Sequence, residues 1–122
     1  MAANTAKAYK DTYQIIQMMC NLSDSVPVKW RRWLWEKALD TATDLIALIV
    51  YAYDEKNLQT KLAYIDKCLT KFTVLNTYLR LSNENAIIPT QKFVNISELM
   101  ADISQQLGAW RKGTADRLTR GV

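Results

Sequence analysis

Apolar residues recur along most of this chain at intervals of three and four, the spacing that aligns side chains on one face of an α-helix. No stretch of the sequence shows the strict apolar–polar alternation that is typical of a half-buried strand. The pattern predicts four helices, at about residues 5–23, 29–53, 57–83 and 90–112. Proline cannot continue a helix, so Pro27 and Pro89 mark two of the connections. Short connections between amphipathic helices predict an all-α fold, an antiparallel up-down four-helix bundle formed by residues 1–112.

The spacing also predicts which face of each helix is buried. In the third helix it follows a 4-3-4-3 order, which is typical of helices that pack nearly antiparallel. The predicted faces are Tyr9, Tyr13, Ile16 and Cys20, with Ile15, Met19 and Leu22 beside them, in the first helix; Leu58, Leu62, Ile65, Leu69, Phe72, Asn76 and Leu79 in the third; and Phe93, Ile96, Met100, Ile103, Leu107 and Trp110 in the fourth. Cys20 and Cys68 are predicted to be inert core thiols. The polar segment 113–122 is predicted to be a flexible basic tail.

The composition excludes several classes of catalytic and metal site. The 122 residues contain no histidine, which excludes His-based triads and His-containing metal sites. The three glycines, Gly108, Gly113 and Gly121, form no phosphate-binding loop. Two cysteines are too few for an all-cysteine zinc site. We therefore predict a protein that is not an enzyme and that needs no cofactor or metal.

The sequence offers no membrane-spanning segment and no signal peptide. The longest uncharged apolar run, residues 45–53, has about half the length needed to span a bilayer. The first residues lack the apolar stretch of a signal peptide. We expect a cytoplasmic protein with no membrane partner.

A cluster of aromatic and basic residues follows Pro27. Residues 28–35 contain Lys29, Trp30, Arg31, Arg32, Trp33 and Trp35. The cations stand at the start of a helix, where the helix dipole repels positive charge. Three tryptophans at this spacing cannot all face one core. A protein interface, a nucleic-acid stacking surface and plain core packing all remain open for the cluster, and the first two favour a binding function.

Other basic residues are candidates for binding a polyanion. Sixteen Lys and Arg against twelve Asp and Glu give a net charge of +4, which suits a nucleic-acid partner but is also ordinary for solubility. Lys56, Lys67 and Lys71 are predicted to form a stripe on the third helix. Arg111 and Lys112 begin the basic end of the chain, which also contains Arg117 and Arg120. Arg80 differs from these, because its position beside the apolar face predicts a partly buried arginine paired with Glu36, Asp40 or Asp44.

Three blocks of the sequence, in order and at bundle spacing, resemble the accessory variability determinant (Avd) proteins of diversity-generating retroelements. Residues 27–34 (PVKWRRWL) resemble the Pro-Lys, Arg and Leu pattern that opens the second helix of this family. Residues 77–88 (TYLRLSNENAII) resemble its Leu-Arg-Leu stretch, and residues 96–112 resemble its closing pattern EIG..LGGW.K. Trp35, Ser104 and Ala109 stand where the family has glycine.

The resemblance implies a non-catalytic protein that assembles as a homopentameric, positively charged barrel. It also implies two partners, the reverse transcriptase of the retroelement and its template RNA, with DNA as a further candidate, in support of mutagenic cDNA synthesis. By position, Arg31 and Arg80 match arginines of the family, and Trp110 and Lys112 match its closing motif. A structural protein–protein adaptor, or a protein like those encoded in ribosomal-RNA intervening sequences and without a reverse transcriptase partner, is the alternative.

From charge placement and the resemblance together, we assign two sets of candidate residues. The predicted nucleic-acid-binding residues are Lys29, Arg31, Arg32, Lys56, Lys67, Lys71, Arg111 and Lys112. The predicted protein-interface residues are Trp30, Trp33, Trp35, Arg80 and Trp110. Phosphate contacts by the first set would give binding that weakens with salt and has little sequence preference.

Overall fold

Four helices joined by short connections make up the chain in a computed structural model, which describes residues 6–121. Helix α1 is Lys7–Leu22, α3 is Leu58–Glu84 and α4 is Thr90–Thr119. Helix α2 runs without a break from an α-helical turn, Val28–Trp30, through a π-helical turn, Arg31–Trp35, into the α-helix Glu36–Asp54. Within residues 6–121 the structure has no strand, so the predicted all-α, four-helix fold is confirmed. Residues 1–5 and 122 lie outside the described residues, and with them the first residue of the predicted first helix, Thr5, and the last residue of the predicted tail.

Each helix packs against two others, and the four enclose one core. Helices α1 and α3 both contact α2 and α4, which is the arrangement of an up-down bundle. Most of the core side chains are aliphatic and come from all four helices. One end of the bundle is formed by the start of α1, the end of α2, the start of α3 and the end of α4. Two shallow depressions show this arrangement: one is lined by Ala6, Tyr53 and Trp110, and the other by Lys61 and Trp110.

The connections are fixed by hydrogen bonds from named residues. Asn57 is the N-cap residue of α3, and its side-chain oxygen accepts a hydrogen bond from the backbone N–H of Thr60 at 3.0 Å. At the other end of α3, Ala86 adopts a left-handed conformation with φ of 53°. The backbone N–H of Ile87 then donates to the carbonyl of Ser82 at 2.8 Å, which closes the helix and turns Ile87 and Ile88 into the core.

The buried face of α1 is rotated from the one predicted. Ile15, Met19 and Leu22 are buried, but Tyr13 and Cys20, which were predicted to lie on the buried face, are exposed. Two polar residues, Asp11 and Thr12, are buried instead. Their polar atoms are satisfied, since the Thr12 hydroxyl donates to the carbonyl of Ala8 at 2.7 Å and Asp11 accepts from Lys7 at 2.6 Å and Gln106 at 2.9 Å. The prediction of a core thiol is therefore wrong for Cys20, while Cys68 is fully buried.

Helix α4 is longer than predicted. We expected the bundle to end at residue 112, but the structure continues the helix to Thr119. Thr114 is buried, so the helix retains contact with the bundle after Gly113. The boundary at residue 112 is corrected accordingly, and Arg117 belongs to a helix. The core residues predicted for α4, from Ile96 to Leu107, are confirmed as buried.

The face predicted for α3 is only partly buried. Ile65 and Leu79 are buried, and Cys68 and Leu75 join them in the core. Five other residues of the predicted face are half-buried, so they border the core and do not fill it: Leu58, Leu62, Leu69, Phe72 and Asn76.

Candidate functional site

Trp35 belongs to the core and not to an interface. Its side chain is 1% exposed. The indole Nε1 donates to the carbonyl of Met19 at 3.2 Å and to the hydroxyl of Ser23 at 3.1 Å. The prediction of Trp35 as a protein-interface residue is therefore wrong, because the side chain is already enclosed between α1 and α2 of its own bundle.

The other two tryptophans of the cluster form a surface that we call the tryptophan platform, defined as Val28, Lys29, Trp30 and Trp33. The rings of Trp30 and Trp33 are 5.4 Å apart between centroids and tilted by 42°. Lys29 Nζ lies 5.2 Å from the centroid of Trp30. Trp30 packs against the core with one side, whereas Trp33 is 50% exposed and Val28 is 76% exposed. The platform therefore offers a partner an apolar and cationic surface.

The π-helical turn Arg31–Trp35 explains why Trp35 is buried while Trp33 is exposed. A π turn is wider than an α turn, so it changes the direction of successive side chains. Leu34 and Trp35 both point into the core, and Trp33 points to solvent. Such turns are often found at functional sites, which adds to the case for the platform.

Arg31 braces the connection before α2. Its Nε donates to the carbonyl of Val26 at 2.8 Å, and its Nη2 donates to the carbonyl of Asp24 at 2.9 Å. These bonds occupy part of a guanidinium that we predicted to contact phosphate, so the structure gives Arg31 a structural role. Arg32 is exposed, and within residues 6–121 it forms no salt bridge.

The predicted lysine stripe is not one continuous line. Lys56 lies in the connection before α3 begins, and is exposed. Lys67 is exposed, with its Nζ 5.6 Å from the ring centroid of Tyr64. Lys71 pairs with Asp44 of α2 at 3.2 Å.

Arg111 extends the basic surface around Lys67 and Lys71 onto α4. Its Nε donates to Asp66 of α3 at 2.6 Å. Asp66 also lines a shallow depression together with Lys67 and Lys71. Three of the predicted nucleic-acid-binding residues thus gather on one side of the bundle, although two of them are already paired with carboxylates.

The environment predicted for Arg80 is wrong. Its side chain is 67% exposed, and its Nη2 lies 3.8 Å from Glu84 of the same helix. None of the three acidic residues expected as its partner, Glu36, Asp40 and Asp44, forms a salt bridge with it within residues 6–121. An exposed arginine is available to a partner, so its interface role stays a prediction.

A second aromatic and basic feature was only partly identified from the sequence, which named Trp110, Arg117 and Arg120 but not Lys61. We call it the C-terminal groove, and it is lined by Lys61, Ala109, Trp110, Gly113, Thr114, Arg117 and Arg120. Lys61 Nζ lies 5.7 Å from the ring centroid of Trp110 and donates to the carbonyl of Ala52 at 2.7 Å. Trp110, predicted as an interface residue, is half-buried and packs against the core. Lys112, by contrast, is exposed and does not line the groove.

One signal in the sequence could have located part of this groove. Trp110, Gly113, Arg117 and Arg120 follow one another at intervals of three or four, which aligns them on one face if the helix continues. Because we treated the segment after Gly113 as a tail, we did not use that spacing. No local pattern connects Lys61 to these residues, since the contact depends on the packing of α3 against α4.

The described residues show neither a metal site nor a membrane span. Within residues 6–121, no group of three or more Cys, Asp or Glu residues is arranged to hold a metal ion. None of the described helices contains a stretch that is both long and apolar enough to cross a bilayer.

Comparison with known families decides what the chain is related to. Residues 8–114 match a family model described as bAvd-like. The chain belongs to the bAvd-like family. This match covers all three sequence blocks on which the resemblance to Avd proteins was based, so the resemblance is confirmed.

The bAvd-like family consists of accessory, non-catalytic proteins associated with diversity-generating retroelements. No curated protein matches this sequence. The family match ends at Thr114, so Arg117 and Arg120 of the C-terminal groove lie beyond the matched residues.

Proposed function

We propose that this protein is an RNA-binding accessory subunit of a retroelement reverse transcriptase, acting in the cytoplasm. In this role it holds template RNA through its cationic surfaces, binds the polymerase through apolar ones, and supports mutagenic cDNA synthesis without catalysing a reaction. The observation that carries the proposal is the bAvd-like match over residues 8–114, because the family connects this helical bundle to diversity-generating retroelements.

The charge distribution supports the RNA-binding part of the proposal. Five of the eight predicted nucleic-acid-binding residues are exposed and form no salt bridge within residues 6–121: Lys29, Arg32, Lys56, Lys67 and Lys112. Exposed cations without a carboxylate partner attract phosphates at long range and release counterions when RNA binds. Arg111 and Lys71 are weaker candidates, because binding a phosphate requires them to share or leave Asp66 and Asp44.

The tryptophan platform supports the protein-binding part. Exposed aromatic residues beside a cation are enriched at the centres of protein interfaces. Half of the surface of Trp33 is exposed to water, and a partner that covers it would bury this apolar surface. We propose that a protein partner covers this platform, and that the protein forms a homo-oligomer, with five copies as the number implied by the family resemblance.

The first experiment measures RNA affinity as a function of salt. Template RNA is titrated with the wild-type protein and with Arg32→Gln/Lys67→Gln/Lys112→Gln. The control is Lys10→Gln/Lys37→Gln/Lys92→Gln, which removes three exposed charges from outside the predicted set. We expect log affinity to fall linearly with log salt, and the first variant to lose about tenfold or more in affinity while the control loses under about threefold.

Two results would contradict the proposal. RNA affinity that does not change with salt would exclude electrostatic capture. Absence of any RNA binding at low salt, together with binding of a protein partner that Trp33→Ala abolishes, would favour the structural adaptor. Light scattering gives the number of subunits, and a monomer at all concentrations would remove the assembly from the proposal.

A further inference from the structure

The C-terminal groove is a surface depression lined by an aromatic ring, Trp110, and by cations from two helices and the residue after one of them. It is shallow, with a volume of about 400 Å³. Its three charged lining residues are all cationic: Lys61 from α3, Arg117 from α4, and Arg120, which follows the last residue of α4.

Two of these cations, Lys61 and Arg117, repel each other in the free protein. Burial lowers the pKa of Lys61 from its ordinary value, and repulsion from Arg117 lowers it further. The carboxylates of Glu55 and Asp54 act in the opposite direction and raise the pKa of Lys61, but neither residue lines the groove. Within residues 6–121, neither Arg117 nor Arg120 forms a salt bridge. An anion in the groove would relieve this repulsion.

The positions of the lining groups indicate what kind of anion fits. Lys61 is held in place by hydrogen bonds to the carbonyls of Ala52 and Tyr53, at 2.7 and 3.3 Å, with its Nζ 5.7 Å from the centroid of the Trp110 ring. Arg117 and Arg120 stand one helical turn apart, and guanidinium groups suit phosphate oxygens. Trp110, which is half-buried, places an aromatic ring next to these phosphate-binding groups, and proteins hold single-stranded nucleic acid with that combination of groups.

We propose that the C-terminal groove binds one nucleotide of single-stranded RNA, with its phosphate on Arg117 and Arg120 and its base against Trp110. This inference rests on the proposed RNA-binding function and adds a specific site to it. The sequence placed Arg117 and Arg120 only in a basic tail, and none of the three groove cations is among the eight residues assigned to nucleic-acid binding.

Two glycines of α4 provide a matched test. Gly113 lines the groove and Gly108 does not, but both are exposed, and a Cβ added at either meets nothing within 4 Å. Gly113→Glu and Gly108→Glu therefore make the same change of charge on the same helix, and only Gly113→Glu places a carboxylate in the groove. Glutamate is a better helix former than glycine, so both variants should fold.

A labelled short oligouridylate is titrated at low salt against the wild type and both variants. We expect Gly113→Glu to weaken binding about tenfold or more, and Gly108→Glu to weaken it by less than about threefold. Equal losses in the two variants would show a general charge effect and would overturn the groove as a site.

A second measurement separates the groove from RNA binding as a whole. The indole N–H signal of Trp110 is followed by NMR while uridine 5′-monophosphate, or inorganic phosphate alone, is added. We expect a saturable shift with the nucleotide in the wild type and Gly108→Glu, a weaker response to phosphate, and no response in Gly113→Glu. No shift in the wild type overturns the groove even if the protein binds RNA elsewhere. A saturable shift in a wild type that fails to bind RNA supports the groove as a nucleotide site while the proposed function fails.

Discussion

The indole nitrogen of Trp35 donates a hydrogen bond to the backbone carbonyl of Met19, 3.2 Å away. This bond joins the start of α2 to the last turn of α1, and the hydroxyl of Ser23 accepts from the same N–H at 3.1 Å. A tryptophan in a core needs such a partner for its polar atom. Trp35 is therefore a structural residue, although it stands in the most interface-like segment of the sequence.

Replacing Trp35 should destabilise the fold. We expect Trp35→Phe to lower the free energy of unfolding by about 1–3 kcal/mol, because it removes a buried hydrogen bond and part of a packed ring. Trp33→Phe is the matched control, since Trp33 is half exposed, and should change stability by less than about 0.5 kcal/mol. Urea denaturation followed by circular dichroism measures both. Equal effects of the two substitutions would contradict the placement of these side chains.

Arg31 should matter more for stability than for RNA affinity. Its two hydrogen bonds to the carbonyls of Val26 and Asp24 need the forked shape of a guanidinium, which lysine lacks. We expect Arg31→Lys to lower the free energy of unfolding by about 1–2 kcal/mol. The neighbouring Arg32→Lys keeps the same charge and should change it by less than about 0.5 kcal/mol. If thermal denaturation shows the two variants to be equally stable, Arg31 does not brace this connection.

Ala86 should be improved by glycine. Its φ of 53° is unfavourable for any residue with a Cβ, and glycine adopts it freely. We expect Ala86→Gly to stabilise the protein by about 1 kcal/mol, which raises Tm by about 4 °C in a chain of this size. Ala101→Gly, in an exposed position within α4, should instead destabilise by about 1 kcal/mol. Calorimetry distinguishes the two signs, and a fall in Tm for Ala86→Gly would mean that α3 does not end in this left-handed turn.

Cys68 should make the fold sensitive to alkaline pH. Burial raises the pKa of its thiol from an ordinary value of 9.0 to about 12. Between these values the unfolded chain loses the proton while the folded chain retains it, so ionisation favours the unfolded state. The stabilisation is present below pH 9 and is lost as the pH rises toward 12.

The comparison of two cysteine variants isolates this effect. Urea denaturation at about pH 8 and about pH 11 should show a larger loss of stability for the wild type than for Cys68→Val, because valine has no proton to lose. Cys20→Val, at an exposed position, should behave like the wild type. A wild type and Cys68→Val that lose stability in parallel would contradict the burial of the Cys68 thiol.

The sequence pattern was sufficient for the number of helices and for most of the core of α4, because apolar spacing over many turns averages out local exceptions. It was insufficient for α1, where Asp11 and Thr12 are buried. Their burial depends on hydrogen bonds to Lys7, Gln106 and the carbonyl of Ala8, and those partners are known only once the helices are packed.

For the candidate sites, too, the sequence identified residues that lie close together in the chain but not the contacts that depend on how the helices pack. The sequence located the aromatic and basic cluster of residues 28–35, but an assumption of regular α-helical turns could not tell which tryptophan is buried. It also named Lys56, Lys67 and Lys71 as one set without showing that the carboxylate of Asp44 lies 3.2 Å from Lys71. The groove cations Lys61 and Arg117 lie far apart in the chain, and packing of α3 on α4 brings them together.

The wider turn at Arg31–Trp35 has a consequence for how this chain can change over time. A π turn absorbs one surplus residue in an otherwise regular helix. Loss of the exposed Trp33 would restore ordinary α geometry while Trp35 and everything after it kept their phase relative to the core. Evolution can therefore add or delete the most prominent surface aromatic of this region as a single event, leaving the interior of the bundle unaltered.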